Sequence, residues 1–494
     1  MGERLPIIYL RGYAGGPSGI DKQVDDPFYG FNDGSTHVRV GEKGLPHFYQ
    51  FESPLLRLML DERYQVRVEG SQQALLTTAP DDSIDPSTIW IYRFYDAAAS
   101  TFEWQAAGFD LEQAAKGLLG FVRLVLQKTK DTDLVYLVAH SMGGLVCRSM
   151  LQRYCDDPAA LVAKLFTYGT PHGGIDFECG GGVLEWVMNT FGPESADIFG
   201  PNRMYQYLTR DAGADGPPDG WDPRSMAGSG FPVERVFCLI GTDPGDYAAA
   251  LGLSAGVVGA KSDGLVQIRN AYVHGANRAY VHRSHSGRYG LVNSEEGYQN
   301  LRRFLFGALK VEVGLTSLHL PDDKDTTWQG EVRLSVRGLP VVMHEQLAAH
   351  WCPVQLAEEA AKLNTADSPI PLVTTFLLHS THQSQTCRYA LQLRVLSLRE
   401  HKGIFGFHDH LEQMADWEDI LVVDVEADEE RIKGARWQWN STIAGAIADA
   451  ELAMPLEVQP VGAGLRGFVP IPEVARKPLL GEDAKTCITV SPWE

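Results

Sequence analysis

Residues 5–307 alternate between short apolar runs and longer amphipathic segments. The apolar runs are rich in Val, Ile, Leu and aromatic residues without clean alternation, which is typical of strands covered on both faces of a parallel sheet. These predicted strands are PIIYL (6–10), IWIYRFY (89–95), LVYLVA (134–139), KLFTYGT (164–170) and RVFCLIG (235–241). Helical patterns lie between them, and residues 108–129 place their apolar side chains on one stripe. The alternation predicts a doubly wound α/β fold with a mostly parallel sheet.

The pattern changes near residue 310. From there, short segments alternate apolar and polar residues with a period of two, and turn-rich pieces such as PDDKD (321–325) separate them. Such a series predicts antiparallel strands, and we expect a β-sandwich. A chain of 494 residues is also too long for one ordinary core. We therefore predict two domains, an α/β domain at 1–309 and a β-sandwich accessory domain at 310–494.

Two segments of the predicted α/β domain fit neither strand nor helix well. Residues 14–52 are rich in Gly, Asp, Pro and aromatic residues, and residues 173–232 combine VLEWVMNTF (183–191) with a long loop-like stretch. Both follow the C-terminal end of a predicted strand, which is the edge where open α/β sheets bind ligands. We expect lid-like insertions there, although VLEWVMNTF is equally consistent with an ordinary packed helix. The acidic run at 21–34 lacks calcium-loop spacing and is interpreted as solvated surface.

Charge and cysteine content narrow the function classes. The chain has 43 Lys and Arg against 63 Asp and Glu, a net charge of −20, which argues against nucleic acid as the main partner and against unaided attraction to an anionic membrane. The seven cysteines are scattered and form no Cys-x-x-Cys pair, so we expect neither a disulfide scaffold nor a zinc site. No signal-peptide pattern or bilayer-length apolar run is visible, so a cytoplasmic location is expected, with signal-free secretion left open.

A serine separates a predicted strand from a predicted helix in AHSMGG (139–144). At a tight strand-to-helix turn, a serine projects its hydroxyl at the top of the sheet, and small residues two positions away let the strand and helix approach each other. Ala139 and Gly143 meet that need, so Ser141 is the candidate nucleophile. The same turn directs the Met142 N–H toward the oxygen that Ser141 would attack. Met142 is therefore one predicted oxyanion donor.

A serine nucleophile requires a base and a carboxylate that orients the base, in the chain order Ser, Asp or Glu, His. Asp263 in KSDGLV and His285 in HRSHSG follow Ser141 in that order, with the histidine just before the last predicted helix. The alternatives that stay open are Asp243 and Asp246 for the carboxylate and His274 and His282 for the base.

Four further residues near these motifs have predicted roles. Gly12, after the first strand, permits close approach, and the Tyr13 N–H is the second predicted oxyanion donor. His140 and His172 are interpreted as structural, the first packed under the serine turn and the second in a shaped Gly-Pro loop.

The motifs together resemble an α/β-hydrolase of the lipase type. PIIYLRGYAGG, AHSMGGLVCR, FTYGTPHGG, SDGLV and the histidine-bearing loop are most similar to the lipase and PGAP1-like (GPI inositol-deacylase-like) branch. That branch usually ends the first strand in His-Gly, whereas this chain has Arg11-Gly12. The resemblance covers about residues 5–307. It implies hydrolysis of acyl esters, often of lipids, through a Ser-His-Asp triad and an acyl-enzyme, with no cofactor or metal.

Three functions stay open at this point. The first is a serine ester hydrolase, the second an acyltransferase that uses the same triad, and the third a binding or scaffold protein whose hydrolase domain is vestigial. Residues 310–494 carry no triad-like set, so we expect them to supply no catalytic residue and to dock on lipid or on a partner protein. HDH (408–410) with Glu412 is interpreted as a solvated loop rather than a metal site.

Overall fold

The structure is a computed structural model whose described residues form two compact units. One unit comprises the described residues within Glu3–Arg278 and His282–Tyr298, and the other those within Ala279–Val281 and Gln299–Glu494. The division into domains at residue 310 stays a prediction. The described residues are 4–12, 26, 28–40, 45–67, 72–94, 110–175, 196–213, 215–245, 261–287, 289–323, 325–378, 386–401, 410–427, 432–447 and 450–493.

A seven-stranded sheet organises the first part of the chain. The strands up to residue 281 are β1 (Ile7–Leu10), β2 (Ser35–Val40), β3 (Pro46–Phe51), β4 (Gln65–Val66), β5 (Thr88–Ile91), β6 (Val135–His140), β7 (Val162–Tyr168), β8 (Val236–Gly241) and β9 (Asn277–Val281). The sheet has the order β4-β5-β1-β6-β7-β8-β9, and the pairings from β4 to β8 are parallel. Every residue of β1, β5, β6 and β8 is buried, as their uninterrupted apolar runs predict. Each of the five predicted strands corresponds to a strand of this sheet, although β5 ends at Ile91, within the predicted run 89–95.

Helices flank this sheet, and their ends follow from local sequence. They are α1 (Pro54–Asp61), α2 (Gln72–Thr78), α3 (Leu111–Lys128), α4 (Met142–Ser149), α5 (Pro201–Leu208) and α6 (Glu295–Phe306). Ser53 caps α1 by accepting the Leu56 N–H, with Pro54 as the first helical residue. Asp110 caps α3 by accepting the Glu112 N–H. The apolar stripe of α3 is buried, and a π-helical turn at Met150–Tyr154 continues α4. The predicted doubly wound α/β fold is confirmed.

The two predicted insertions are described in part. Within residues 14–52, β2 and β3 pair as an antiparallel two-stranded sheet, so the expectation that this segment fits no strand was wrong. STHVRV and PHFYQF carry strand-forming residues, but the Gly- and Asp-rich flanks hid them. Within 173–232, a short 3-10 turn at Ala196–Phe199 precedes α5, and turns follow. VLEWVMNTF (183–191) lies outside the described residues, and a lid role stays a prediction.

The second unit is built from antiparallel strands. They are β10 (Leu309–Thr316), β11 (Thr326–Val336), β12 (Val342–Gln346), β13 (Val354–Gln355), β14 (Ile370–Leu377), β15 (Thr386–His401), β16 (His410–Ala427), β17 (Ile432–Trp439), β18 (Met454–Pro455), β19 (Val458–Val461), β20 (Gly464–Pro470) and β21 (Lys485–Pro492). One sheet has the order β14-β10-β21-β20-β19, and the other β12-β11-β15-β16-β17-β18 with β13 paired to β11.

One apolar core joins the two antiparallel sheets. It includes Val311 from the first sheet and Leu391 and Leu421 from the second, all fully buried. Packing of two sheets around one core is the defining feature of a sandwich, so the predicted antiparallel architecture is confirmed. Two short helices complete this unit, α7 (Leu356–Lys362) and α8 (Glu473–Ala475).

Candidate active site

Ser141 occupies the turn between β6 and α4. Its backbone has φ 53° and ψ −130°, a combination that residues with a side chain rarely adopt because of steric strain. Two hydrogen bonds hold it there: the Ser141 N–H donates to the Tyr168 carbonyl at 2.8 Å, and Thr170 Oγ1 donates to the Ser141 carbonyl at 2.8 Å. The neighbouring strand β7 and the loop after it therefore fix the orientation of the serine hydroxyl.

Two glycines, Gly12 and Gly143, lie where the neighbouring segments approach this turn. A methyl group on Gly12 would lie 2.9 Å from Ser141 Oγ, and one on Gly143 would lie 2.6 Å from the Arg11 carbonyl oxygen. The segment after β1 and the first turn of α4 thus approach each other at backbone contact distance beside the serine. This is the physical reason for the small residues in AHSMGG and for Gly12.

The candidate triad residues form one chain of hydrogen bonds. His285 Nε2 lies 2.9 Å from Ser141 Oγ, and His285 Nδ1 lies 2.9 Å from Asp263 Oδ2. All three residues are almost fully buried, with 4%, 2% and 1% exposure for Ser141, His285 and Asp263. A carboxylate only accepts, so Nδ1 donates and Nε2 is left to accept the serine proton.

The turn that carries Asp263 holds its carboxylate in place. Oδ1 accepts the N–H groups of Leu265 and Val266 at 3.0 and 2.8 Å, which leaves Oδ2 for the histidine. The His285 N–H in turn donates to the Asp263 carbonyl at 2.8 Å. Asp263 therefore orients both the ring and the backbone of His285.

His140 also contacts the backbone of His285. Its Nε2 lies 2.9 Å from the His285 carbonyl oxygen, and the two ring centroids are 4.9 Å apart. Burial lowers the pKa of His140 well below its usual value, and the nearby charges of His285 and Arg11 lower it further. A neutral His140 donates from Nε2 to that carbonyl. Sequence reasoning considered His140 only as packing under the turn, and nothing in the sequence beyond its position beside Ser141 signals this contact.

A buried arginine of α4 connects this helix to other segments of the chain. Arg148 is fully buried and donates to the carbonyls of His172, Pro223 and Ser225 at 3.2, 2.7 and 2.9 Å. Burial lowers the pKa of Arg148 to about 10. The helix that starts at the serine is thus tied to the described part of the second predicted insertion. Sequence reasoning missed this role, because an arginine in CRSM looks like an ordinary helix surface residue.

The alternative histidines lie elsewhere in the structure. His172 is buried with Nε2 3.1 Å from Thr167 Oγ1, and burial lowers its pKa well below the usual value. His274 pairs with Asp222 at 2.9 Å, and His282 Nδ1 lies 3.3 Å from Thr242 Oγ1. None of these contacts is with Ser141.

The alternative carboxylates are placed as follows. Asp243 accepts the Gly245 N–H at 2.9 Å, as a residue that shapes a turn does. Asp246 lies outside the described residues.

Of the two predicted oxyanion donors, Met142 lies within the described residues and Tyr13 lies outside them. Met142 is the first residue of α4, and the first N–H groups of a helix have no acceptor within it. The partial positive charge of a helix N-terminus favours an anion at that position. Tyr13 lies outside the described residues, although Gly12 before it is placed against Ser141.

Metal ligation was considered for the HDH segment. His408 lies outside the described residues, and the side chains of His410 and Glu412 are not described either. In the part of the chain that is described, no group of three or more His, Cys, Asp or Glu residues could hold a metal ion.

Comparisons with known proteins relate the chain to a few solved structures. No protein-family model and no curated protein matches the sequence. A gene product of Listeria innocua is similar at 16% identity over 61% of this chain and 94% of its own, with a TM-score of 0.26. Phospholipase PlaB from Legionella pneumophila in complex with thio-NAD is similar at 12% identity over 83% of this chain and 91% of its own, with a TM-score of 0.32. Because both TM-scores are low, the fold is assigned from the strand order given above and not from these similarities.

Among the helices of the described residues, none combines the length and the apolar character that crossing a bilayer requires.

Proposed function

We propose that this protein is a serine ester hydrolase of the lipase or carboxylesterase type. The observation that carries the proposal is the hydrogen-bond chain from Ser141 through His285 to Asp263, with Ser141 held at a strained strand-to-helix turn. The same three roles occur in unrelated serine hydrolases, where geometry rather than sequence position identifies them.

Each residue has a defined step in the proposed reaction. Ser141 Oγ attacks the acyl carbonyl carbon while His285 Nε2 takes the hydroxyl proton. The proton then passes from Nε2 to the leaving alcohol, and an acyl-enzyme forms on Ser141. Water resolves this ester with His285 again as the base. Asp263 accepts from Nδ1 throughout and stabilises the imidazolium ion that forms in each half-reaction.

The backbone N–H groups of Met142 and Tyr13 are the proposed oxyanion hole. The support for Met142 is its position as the first residue of α4, and the support for Tyr13 is its position after Gly12, which contacts Ser141. Donors fixed before the reaction stabilise the tetrahedral oxyanion without reorganisation. Such donors commonly contribute about 3 kcal/mol to the barrier difference.

The finer assignments belong to the same proposal. The sequence motifs favour the lipase and PGAP1-like branch of the α/β-hydrolases, and with it a lipid acyl ester as substrate and no cofactor. Residues 310–494 are proposed to act by docking on lipid or on a partner protein, and the protein is proposed to work in the cytoplasm. These assignments depend on the motifs quoted above and on the antiparallel architecture of the second unit.

Kinetics of a Ser141→Ala variant test the proposal. Hydrolysis of p-nitrophenyl butyrate should fall by about a thousandfold or more, because the nucleophile is lost. Ser229→Ala is a matched control, since Ser229 is also buried but bonds only within its own turn. Full activity of folded Ser141→Ala would contradict the assignment. Product analysis with excess acceptor alcohol then separates hydrolysis from acyl transfer, and a folded wild-type protein without turnover would favour the scaffold function.

A further inference from the structure

A small cavity of about 90 Å³ is lined by the chain neighbours of Ser141 and His285. Its wall includes His140, which hydrogen-bonds the His285 backbone, and Ser286, which follows His285 in the chain. Arg11, one residue before Gly12, also lines it, and Gly12 is in contact distance of Ser141. A group held in this cavity would therefore be within the span of one substrate molecule bound at Ser141.

The backbone is shaped to leave room for the Arg11 guanidinium. Gly30 has φ 76°, and a methyl group there would lie 2.5 Å from Arg11 Nη1. The preceding residue, Tyr29, also has a positive φ of 51°. The Asp26 carboxylate supports this turn by accepting the N–H groups of Phe28 and Gly30 at 3.0 and 2.5 Å. Two consecutive left-handed residues thus place bare backbone against the guanidinium.

Arg11 makes no hydrogen bond or ion pair with any described residue, although two acids are close. Asp26 is engaged by its own turn, and Asp33 lines the cavity without pairing with Arg11. Asn293 adds a buried side-chain oxygen that has no hydrogen-bond partner among the described residues, and its amide can turn to donate instead. A cavity whose wall holds unused polar groups fits a polar ligand group rather than an acyl chain.

We infer that Arg11 is a specificity-determining residue that binds an anionic group, a phosphate or a carboxylate, carried by the ester substrate. The guanidinium presents five donors in a planar fork that matches these oxyanions. The inference depends on the proposed function, because it assigns a substrate class to that same site. It concerns selection among esters and leaves the triad chemistry unchanged.

Asp33 supplies an opposing effect that sharpens the test. Burial raises the pKa of its carboxyl, the charge of Asp26 raises it further, and Arg11 counteracts both. A carboxylate in the cavity wall repels an anion, so its removal should strengthen selection for anionic esters. If Arg11 lined the cavity without binding the substrate, replacement of Arg11 and replacement of Asp33 would not change the selection for anionic esters in opposite directions.

The experiment compares two pairs of esters in which only one member of each pair carries an anionic group. The first pair is p-nitrophenyl butyrate and p-nitrophenyl hemisuccinate, which carries a carboxylate on the acyl side. The second is an octanoyl monoglyceride and its phosphate ester, which carries the charge on the alcohol side. For each pair, the ratio of kcat/KM for the anionic ester to that for the neutral ester is measured in the wild type and in variants at Arg11 and Asp33. The pair that responds identifies whether the cavity accommodates an acyl-side carboxylate or an alcohol-side phosphate.

We expect this ratio to fall about tenfold in Arg11→Gln for at least one pair, which is typical of the loss of one charged hydrogen-bond partner. Arg11→Lys keeps the charge and should retain most of the ratio. Asp33→Asn should raise the ratio by about threefold, as one partly screened charge does.

The results that would overturn the inference are separate from those that would overturn the proposed function. A ratio unchanged in Arg11→Gln for both pairs, or lowered in Asp33→Asn, contradicts the anion site while neutral-ester turnover leaves the hydrolase intact. If the wild type turns over neither member of either pair, the proposed function fails and this inference fails with it.

Discussion

Two turns near the candidate site have left-handed backbone, and they are held in different ways. At Ser141, the neighbouring strand and the loop after it supply the hydrogen bonds, through the Tyr168 carbonyl and the Thr170 hydroxyl. At Tyr29–Gly30, Asp26 within the same turn supplies them: its carboxylate accepts the Phe28 and Gly30 N–H groups, and its carbonyl accepts the Tyr29 N–H. The first turn follows strand β6 of the parallel sheet, whereas the second lies in the buried segment before β2. Under the proposed function, the difference predicts that reactivity depends on the sheet and that substrate selection depends on a separately adjustable turn.

The largest effect is expected from breaking the hydrogen-bond chain of Ser141, His285 and Asp263. Asp263→Asn keeps the shape of the side chain but removes the acceptor that fixes the histidine tautomer, so kcat should fall by about ten-thousandfold. Asp243→Asn is the matched control, because Asp243 caps a turn and has no contact with the triad. Equal losses in the two variants, measured on p-nitrophenyl butyrate, would count against Asp263 as the orienting carboxylate.

Crowding the Ser141 turn should have the next largest effect. In Gly143→Ala, the added methyl group meets the Leu10 and Arg11 carbonyl oxygens at 2.8 and 2.6 Å, so the start of α4 must move away from Gly12. We expect about a hundredfold loss of kcat, since displacement of a preorganised site by about 1 Å is enough for that.

Gly120→Ala is the control for that substitution. Gly120 lies in α3 with open space around it, and a helical Gly-to-Ala change there should stabilise the protein by about 0.5–1 kcal/mol. Unfolding curves and kcat measured on both variants would separate a local clash from a general effect of added methyl groups. A fully active Gly143→Ala would show that close approach at this turn is not needed.

Loss of the contact between His140 and the His285 carbonyl should lower kcat by less than the two substitutions at the Ser141 turn and at Asp263. His140→Phe keeps an aromatic ring but loses the donor to the His285 carbonyl, so kcat should fall about tenfold with KM unchanged. His140→Gln retains an Nε2 donor and should recover most of that loss. Equal kcat in the two variants would mean that His140 acts by packing alone.

The smallest effect is expected at the second turn. Gly30→Ala places a methyl group 2.5 Å from Arg11 Nη1 and should lower the anionic-to-neutral ratio of kcat/KM by about threefold, because the guanidinium is displaced. Gly228→Ala is the control, since Gly228 has the same φ of 76° but open space around it. A similar change of the ratio in both variants would attribute it to backbone strain rather than to Arg11.

The strands of the parallel sheet could be predicted from the sequence, because a strand that is buried on both faces is a short uninterrupted apolar run. The runs that became β1, β5, β6, β7 and β8 could be recognised from composition alone, as could the small residues around Ser141. The β2–β3 hairpin was missed, since its strands are short and Gly- and Asp-rich stretches flank them.

The candidate site was only partly accessible from sequence. Chain order and position relative to the predicted elements favoured Ser141, Asp263 and His285, which the structure brings within hydrogen-bond distance, while their catalytic roles stay predictions. The contacts of His140 and Arg148 join residues far apart in the chain, 145 and up to 77 positions away. No local pattern encodes such pairings, so they required the folded structure.

Covalent labelling with a fluorophosphonate tests the central claim most directly, because this reagent reacts preferentially with activated serine hydroxyls. The measurement is intact mass followed by peptide mapping of the folded wild type, with Ser141→Ala and His285→Ala treated alongside. The account predicts one adduct on the peptide that contains Ser141, strongly slowed labelling in His285→Ala and no adduct in Ser141→Ala. An adduct on another residue, or a folded wild-type protein that stays unlabelled, would contradict it.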